Sequence, residues 1–294
     1  EFGVDGWRID TYAYNDLDFM NRCNQALYNE YPKLSIFGET WVHGVINQAF
    51  FCQNNLNIPY KSNMHATTDF QLLFYGIQPA VNEKFGWTEG VNKMYTTAAQ
   101  DIIYKDPMRQ VIFLDNHDLS RFYSVVGEDT SKYKMALSWL LTFRGIPQLY
   151  YGNEILMTGV TSPNDGYVRL DFPGGWPGDA SNKFTAGGRT AKENDVFDHL
   201  SKLANFRKRS SAIKTGRFMQ YIPQDGLYVY FRYDNNQTIM CVMNTAETEK
   251  KIDFASYAER TAGFRSGTDI VSGVSRGSSF SIPAKQMYVM ELKK

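Results

Sequence analysis

Three short runs, Gly6-Trp7-Arg8-Ile9-Asp10, Phe37-Gly38-Glu39 and Leu114-Asp115-Asn116-His117-Asp118, each deliver a carboxylate where a β-strand pattern stops. They constrain the fold because helical patterns fill the intervals. Asp16 reads as the N-cap of a segment in which Phe19, Met20, Cys23 and Leu27 recur at helical spacing, with Pro32 past its end. A second helix is expected from about Ser131, burying Ala136, Leu137, Leu140 and Leu141, before Ile146 to Tyr151 returns as a strand. Strands that alternate with helices pair in parallel, and Gln110 to Leu114 is apolar on both faces, as a parallel strand covered by helices should be. In the first run a period of two puts Gly6, Arg8 and Asp10 on one face, so the Arg8 guanidinium is expected to pair with the Asp10 carboxylate. Three carboxylates presented from strand ends suit acid chemistry on a neutral, polyhydroxylated substrate, and they suggest a barrel.

The rest of the chain sets bounds. Of 294 residues, 31 are basic and 31 acidic, so no basic surplus exists to attract nucleic acid. A hydrophobic content of 43% supports a good core and two domains. The most apolar stretch, Met135 to Phe143, contains Ser138 and Thr142 and is shorter than the roughly 18 apolar residues a bilayer span needs. Cys23, Cys52 and Cys241 are scattered without metal-ligand spacing and read as packed thiols; His43, His65 and His199 read as surface or packing residues. Past a helical stretch from Asp195 to Arg209, texture changes near Thr215-Gly216. Leu227 to Tyr233 and Thr238 to Met243 flank Asp234-Asn235-Asn236 and read as a β-hairpin. Further strands are expected near Arg260 to Phe264, Ser278 to Ile282 and Gln286 to Leu292, completing an antiparallel β-sandwich. The expected division is 1–212 and 213–294.

The three runs resemble the second, third and fourth conserved regions of the α-amylase superfamily, glycoside hydrolase family 13, and Gly145 to Glu154 is similar to that family's eighth strand. The resemblance implies an α/β fold, a (β/α)8 barrel followed by a β-sandwich. Here it implies a partial barrel, strands four to eight, with a weak strand near Met64 to Phe70 as the sixth. The first conserved region and the first three strands are not found, and the chain opens inside a strand pattern at Glu1-Phe2-Gly3, so a missing N-terminal part is expected upstream. A run from Arg169 to Asp179, continuing to Asn182, Phe184 and Arg189, is similar to the neopullulanase and cyclomaltodextrinase branch, particularly periplasmic starch-utilisation enzymes.

By that resemblance Asp10 is the nucleophile, Glu39 the general acid/base and Asp118 the carboxylate that holds the distorted sugar. Arg8, His117, Trp41, Tyr12 and Arg121 are implied substrate-binding residues. Retaining chemistry needs the Asp10 and Glu39 carboxyls roughly 5 to 5.5 Å apart, with Glu39 in the less polar surroundings. Ala13 and Tyr14 stand where many α-amylases carry a Lys-His pair, which argues against ordinary long-chain amylase specificity. The implied activity is hydrolysis of α-1,4 bonds in pullulan, cyclodextrins, starch or malto-oligosaccharides. The alternatives are a transglycosylase or isomerase on the same scaffold and a non-catalytic amylase-like binding protein. Expected partners are an α-glucan and the missing N-terminal part, with no nucleic acid and no membrane insertion. The resemblance suggests a periplasmic or secreted protein and allows calcium, with no metal site assignable. The 294-residue piece alone is expected to be inactive.

Overall fold

A computed structural model describes residues 3–294. They form two compact units, one holding the residues up to Gly76 with Lys93–Phe113 and Arg144–Gln148, the other Ile77–Asn92, Leu114–Phe143 and Leu149–Lys294.

The first unit carries the parallel arc. Strand β1 (Gly6–Ile9) pairs in parallel with β2 (Ser35–Gly38), Gly38 bridges in parallel to Thr67, Thr68 to Val111, and β3 (Val111–Phe113) pairs in parallel with β4 (Ile146–Gln148). These are barrel strands four to eight. The sixth is reduced to Thr67 and Thr68, because Asp69 caps the helical turn that follows by accepting from the Leu72 amide at 3.0 Å. All of β3 is buried, as expected for a strand covered on both faces. Asp16 does cap the helix Leu17–Glu30, accepting from the Phe19 amide at 2.7 Å. The buried stripe differs from the expected one: Phe19 is exposed and the polar Asn24 is buried, donating to the Tyr12 hydroxyl at 3.0 Å. Beneath β3 and β4, Arg144 forms a buried ion cluster with Asp69 (2.7 Å) and Asp101 (2.5 Å).

The second unit holds the helix Thr130–Thr142, buried on nearly every face and capped by Asp129. It also holds the helix Ala191–Arg209, which begins four residues before the expected Asp195 because Thr190 and Glu193 form a reciprocal capping box. Strands β5 (Arg217–Gln220), β6 (Leu227–Tyr233), β7 (Thr238–Asn244), β8 (Lys250–Asp253), β9 (Ser266–Asp269), β10 (Ser275–Gly277), β11 (Ser279–Ile282) and β12 (Gln286–Lys293) follow. Six of them form an antiparallel sheet in the order β10-β9-β12-β7-β6-β5, and β11 pairs with β8. The core between them is built from Val229, Phe231, Met240, Val242, Ile252 and Ile282 among others. The β6–β7 hairpin forms as read, with the Asp234 carboxylate accepting from the Asn236 and Gln237 amides at 2.8 Å each. The expected strand over Arg260 to Phe264 is instead the helical turn Ala258–Thr261; Thr261 donates to the Phe254 carbonyl at 2.6 Å and Gly263 exits at φ +86°. Arg232, wholly buried, donates to the carbonyls of Phe143 (2.7 Å) and Gly216 (3.1 Å), tying the end of the first helix to the sheet.

Among the described residues no helix is long and apolar enough to cross a membrane. All three cysteines are free, Cys52 and Cys241 buried, and burial pushes both thiols up to about 12.

Candidate active site

In the first unit the ends of β1 and β2 are knotted together. The Glu39 amide donates to the Ile9 carbonyl at 2.8 Å, the Tyr12 amide to the Glu39 carbonyl at 2.8 Å, and the Thr11 amide to Glu39 Oε2 at 2.8 Å. The acidic head of Glu39 is therefore held at the residue that follows Asp10. Gly38 makes this approach feasible, since a Cβ there would stand 2.5 Å from the Tyr12 ring. Thr11 accepts a cost for it: a β-branched residue at φ +46°, ψ +37°, in the left-handed region. The two carboxyls have unlike surroundings. Glu39 is 6% exposed, whereas the Asp10 side chain is 68% exposed and bonded to Arg8 Nη1 at 2.7 Å. The predicted Arg8–Asp10 pair is thus present, and Arg8 Nη2 is buried without a partner. Trp41 covers the buried Phe70 with one ring face, centroids 4.9 Å apart, and remains partly open on its outside.

Tyr12, expected at the substrate, is placed in the core: it is 1% exposed, its ring lies under Gly38 and its hydroxyl accepts from Asn24.

In the second unit the segment after β3 presents His117 and Asp118. The Asp118 amide donates to Asn116 Oδ1 at 2.9 Å, closing a tight turn. His117 Nε2 lies 3.2 Å from Asp118 Oδ2. The other oxygen, Oδ1, receives Arg169 Nη2 at 2.9 Å, while Arg169 Nε donates to the His117 carbonyl at 2.7 Å. Asp165, 3.3 Å from the same Nη2, completes the clamp. Strand logic gave no role to Arg169, because it sits in a loop 51 positions from Asp118. Its place at the head of the branch-like run was the one available signal.

Arg121 is likewise buried. Expected at a sugar, it is 1% exposed, stacked over Tyr150 and Tyr151 with its guanidinium carbon 4.0 and 4.7 Å from their ring centroids, and bonded to the Tyr151 carbonyl. It braces the loop behind Asp118. Beside it, burial raises the Asp115 carboxyl to about 6, opposed by the Phe122 amide bond and the Arg121 charge. Among the described residues no group of three or more His, Cys, Asp or Glu could hold a metal ion.

The family described as alpha amylase, catalytic domain, matches residues 1–171, and the cyclo-malto-dextrinase C-terminal domain matches 218–291. Over 288 residues the chain is 27% identical to a cyclomaltodextrin glucanotransferase of Niallia circulans, covering 96% of this chain and 35% of that protein. It is 28% identical to an α-amylase of the same organism, covering 96% of this chain and 48% of that one. The crystal structure of the α-amylase from Geobacillus thermoleovorans in complex with acarbose superposes with a TM-score of 0.76 at 19% identity, over 99% of this chain and 60% of that chain, a likeness of fold. The chain thus spans between about a third and a half of the length of these curated relatives. With more than half of its residues matched, and with carboxylates at the ends of barrel strands four, five and seven, this chain belongs to the α-amylase catalytic-domain family, glycoside hydrolase family 13, and ends in a β-sandwich of the cyclomaltodextrinase C-terminal kind.

Proposed function

We propose that this chain contributes the catalytic carboxylates of a retaining α-glucan hydrolase of the neopullulanase or cyclomaltodextrinase type. The observation that carries the reading is the bond from the Thr11 amide to Glu39 Oε2, which holds a buried acid next to an exposed, Arg8-paired Asp10. With one Glu39 oxygen engaged, the other is free to carry a proton to the glycosidic oxygen. Asp10 then attacks the anomeric carbon as the aglycone leaves, forming a covalent glycosyl ester. Glu39, now a carboxylate, takes a proton from water; the water oxygen bonds to the same carbon and Asp10 is released with configuration retained. Asp118 accepts hydroxyls of the sugar under attack and His117 donates to it, their geometry kept by Arg169. Arg8 holds Asp10, and Trp41 offers an aromatic face to a neighbouring glucose.

Residues 1–212 serve in this reading as the C-terminal part of the barrel and 213–294 as the sandwich domain. The 294-residue piece by itself is expected not to cleave glucan, and the full-length protein to be periplasmic or secreted. The test is the full-length protein on pullulan, cyclodextrins and malto-oligosaccharides, with anomeric configuration followed by NMR. Cleavage with inversion, or none in the wild type, defeats the reading. Relatives named cyclomaltodextrin glucanotransferase favour one second reading, transfer of the glycosyl group to a sugar acceptor in place of water. Product profiles with and without added acceptor separate the two.

A further inference from the structure

The segment after Arg169 contains an unusual combination of rigid backbone and solvent-facing aromatic rings. Trp176 and Phe184 are both 64% exposed, and Phe172 packs against Phe184 with centroids 4.5 Å apart. The backbone that carries them is pinned. Asp179 Oδ2 accepts from the amides of Gly174 (2.6 Å) and Trp176 (3.2 Å), the Lys183 amide donates to the Pro173 carbonyl at 3.0 Å, and Arg189 Nη1 donates to the Lys183 carbonyl at 3.0 Å. Gly174 and Gly188 leave no room for side chains: a Cβ on either would fall 2.6 Å from the Asn182 Cα or 1.8 Å from its carbonyl oxygen. The loop is anchored at its far end by Lys183 on Glu193, 2.7 Å, inside the capping box of the helix Ala191–Arg209.

At its near end the loop starts from the clamp on Asp118. Arg169 holds Asp118, the next residue, Leu170, takes the Tyr151 hydroxyl on its carbonyl at 2.7 Å, and Phe172 follows within about 11 Å of chain.

We infer that Phe172, Trp176 and Phe184 form a preformed aromatic shelf that binds the α-glucan chain beyond the sugar held at Asp118, making this loop a determinant of chain-length preference. The inference rests on the reading in the preceding subsection and names a substrate contact for that same site. A glucose unit has apolar CH faces and a rim of hydroxyls, which suits flat rings set among acceptors such as the exposed Asp171. A protein partner fits less well, because interface centres are depleted of carboxylates and the apolar area here is only three rings wide. Holding the rings in place before binding removes an ordering cost.

The test uses the full-length protein and compares kcat/KM for maltoheptaose with that for maltotriose. Trp176→Ala should lower the ratio about tenfold, mainly through KM for the longer chain; Phe184→Ala should shift it the same way by less; Trp176→Phe should restore most of it. A ratio unchanged in Trp176→Ala overturns the shelf while leaving the catalytic reading intact. Absence of any cleavage by the wild type removes the catalytic reading instead. A second readout does not need turnover: maltoheptaose added to the Glu39→Gln protein should change indole fluorescence, and the change should shrink on adding Trp176→Phe, with Trp41 supplying the remainder. A signal that this substitution leaves undiminished, or none at all, rejects the shelf.

Discussion

The parallel arc and the antiparallel β-sandwich put their backbone ladders to opposite ends. In the sandwich, β6 and β7 are central strands of seven residues whose interiors are wholly buried, and they face Ile252 and Ile282 of the small sheet across a closed core. In the arc the strands are three or four residues long. The sandwich is thus packed for stability. The arc spends its short strands on position, delivering Asp10 and Glu39 at their ends.

Removing a group from each region should expose this difference, the largest effect first. In the full-length protein Asp10→Asn should lower kcat by about three orders of magnitude or more while glucan binding persists, measured by turnover and isothermal titration. Retained turnover would detach the arc from the chemistry. In the 294-residue chain itself, Phe231→Ala, a 0% exposed core ring, should cost about 3–5 kcal/mol in chemical denaturation, whereas Ile146→Ala on β4 should cost less than half of that, since much of its side chain is already in water there. Equal losses would mean that the two regions are packed alike.

A third test concerns the helix that packs beside the sandwich. His199 is 8% exposed, bonded through Nε2 to Ser138 at 2.8 Å, and burial, reinforced by the Lys134 charge and opposed by Asp195 and Asp269, lowers its value to about 4. The unfolded chain, with an ordinary histidine near 6.5, then binds more protons than the folded one between these values. Stability from this group is complete above about pH 6.5 and is lost as pH falls through 4, a total of roughly 3 kcal/mol. Asp115, raised to about 6, acts with the opposite sign, its contribution fading as pH rises from about 4 through 6. Subtracting the His199→Gln denaturation curve from that of the wild type isolates the histidine; a difference that does not vary with pH would show that His199 does not titrate this way. The smallest effect belongs to the arc. Thr11→Gly keeps the amide that holds Glu39 and relieves the left-handed backbone, so thermal unfolding should reveal a gain of about 1 kcal/mol. A loss would mean that the Thr11 side chain is needed there.

Sequence alone determined what is local in this protein. Alternation with period two brought Arg8 beside Asp10, the Asp16 cap acts over three residues, and the β6–β7 hairpin needed only its Asp234 turn. Tertiary structure alone decided burial and long-range pairing. Tyr12 went under Gly38 and Arg121 went against two adjoining tyrosine rings, because a side chain's environment depends on elements far along the chain. Arg169 found Asp118 across 51 residues for the same reason. The stretch at Arg260 became a helical turn because Thr261 could satisfy the carbonyl of Phe254, a bond that residue periodicity does not encode.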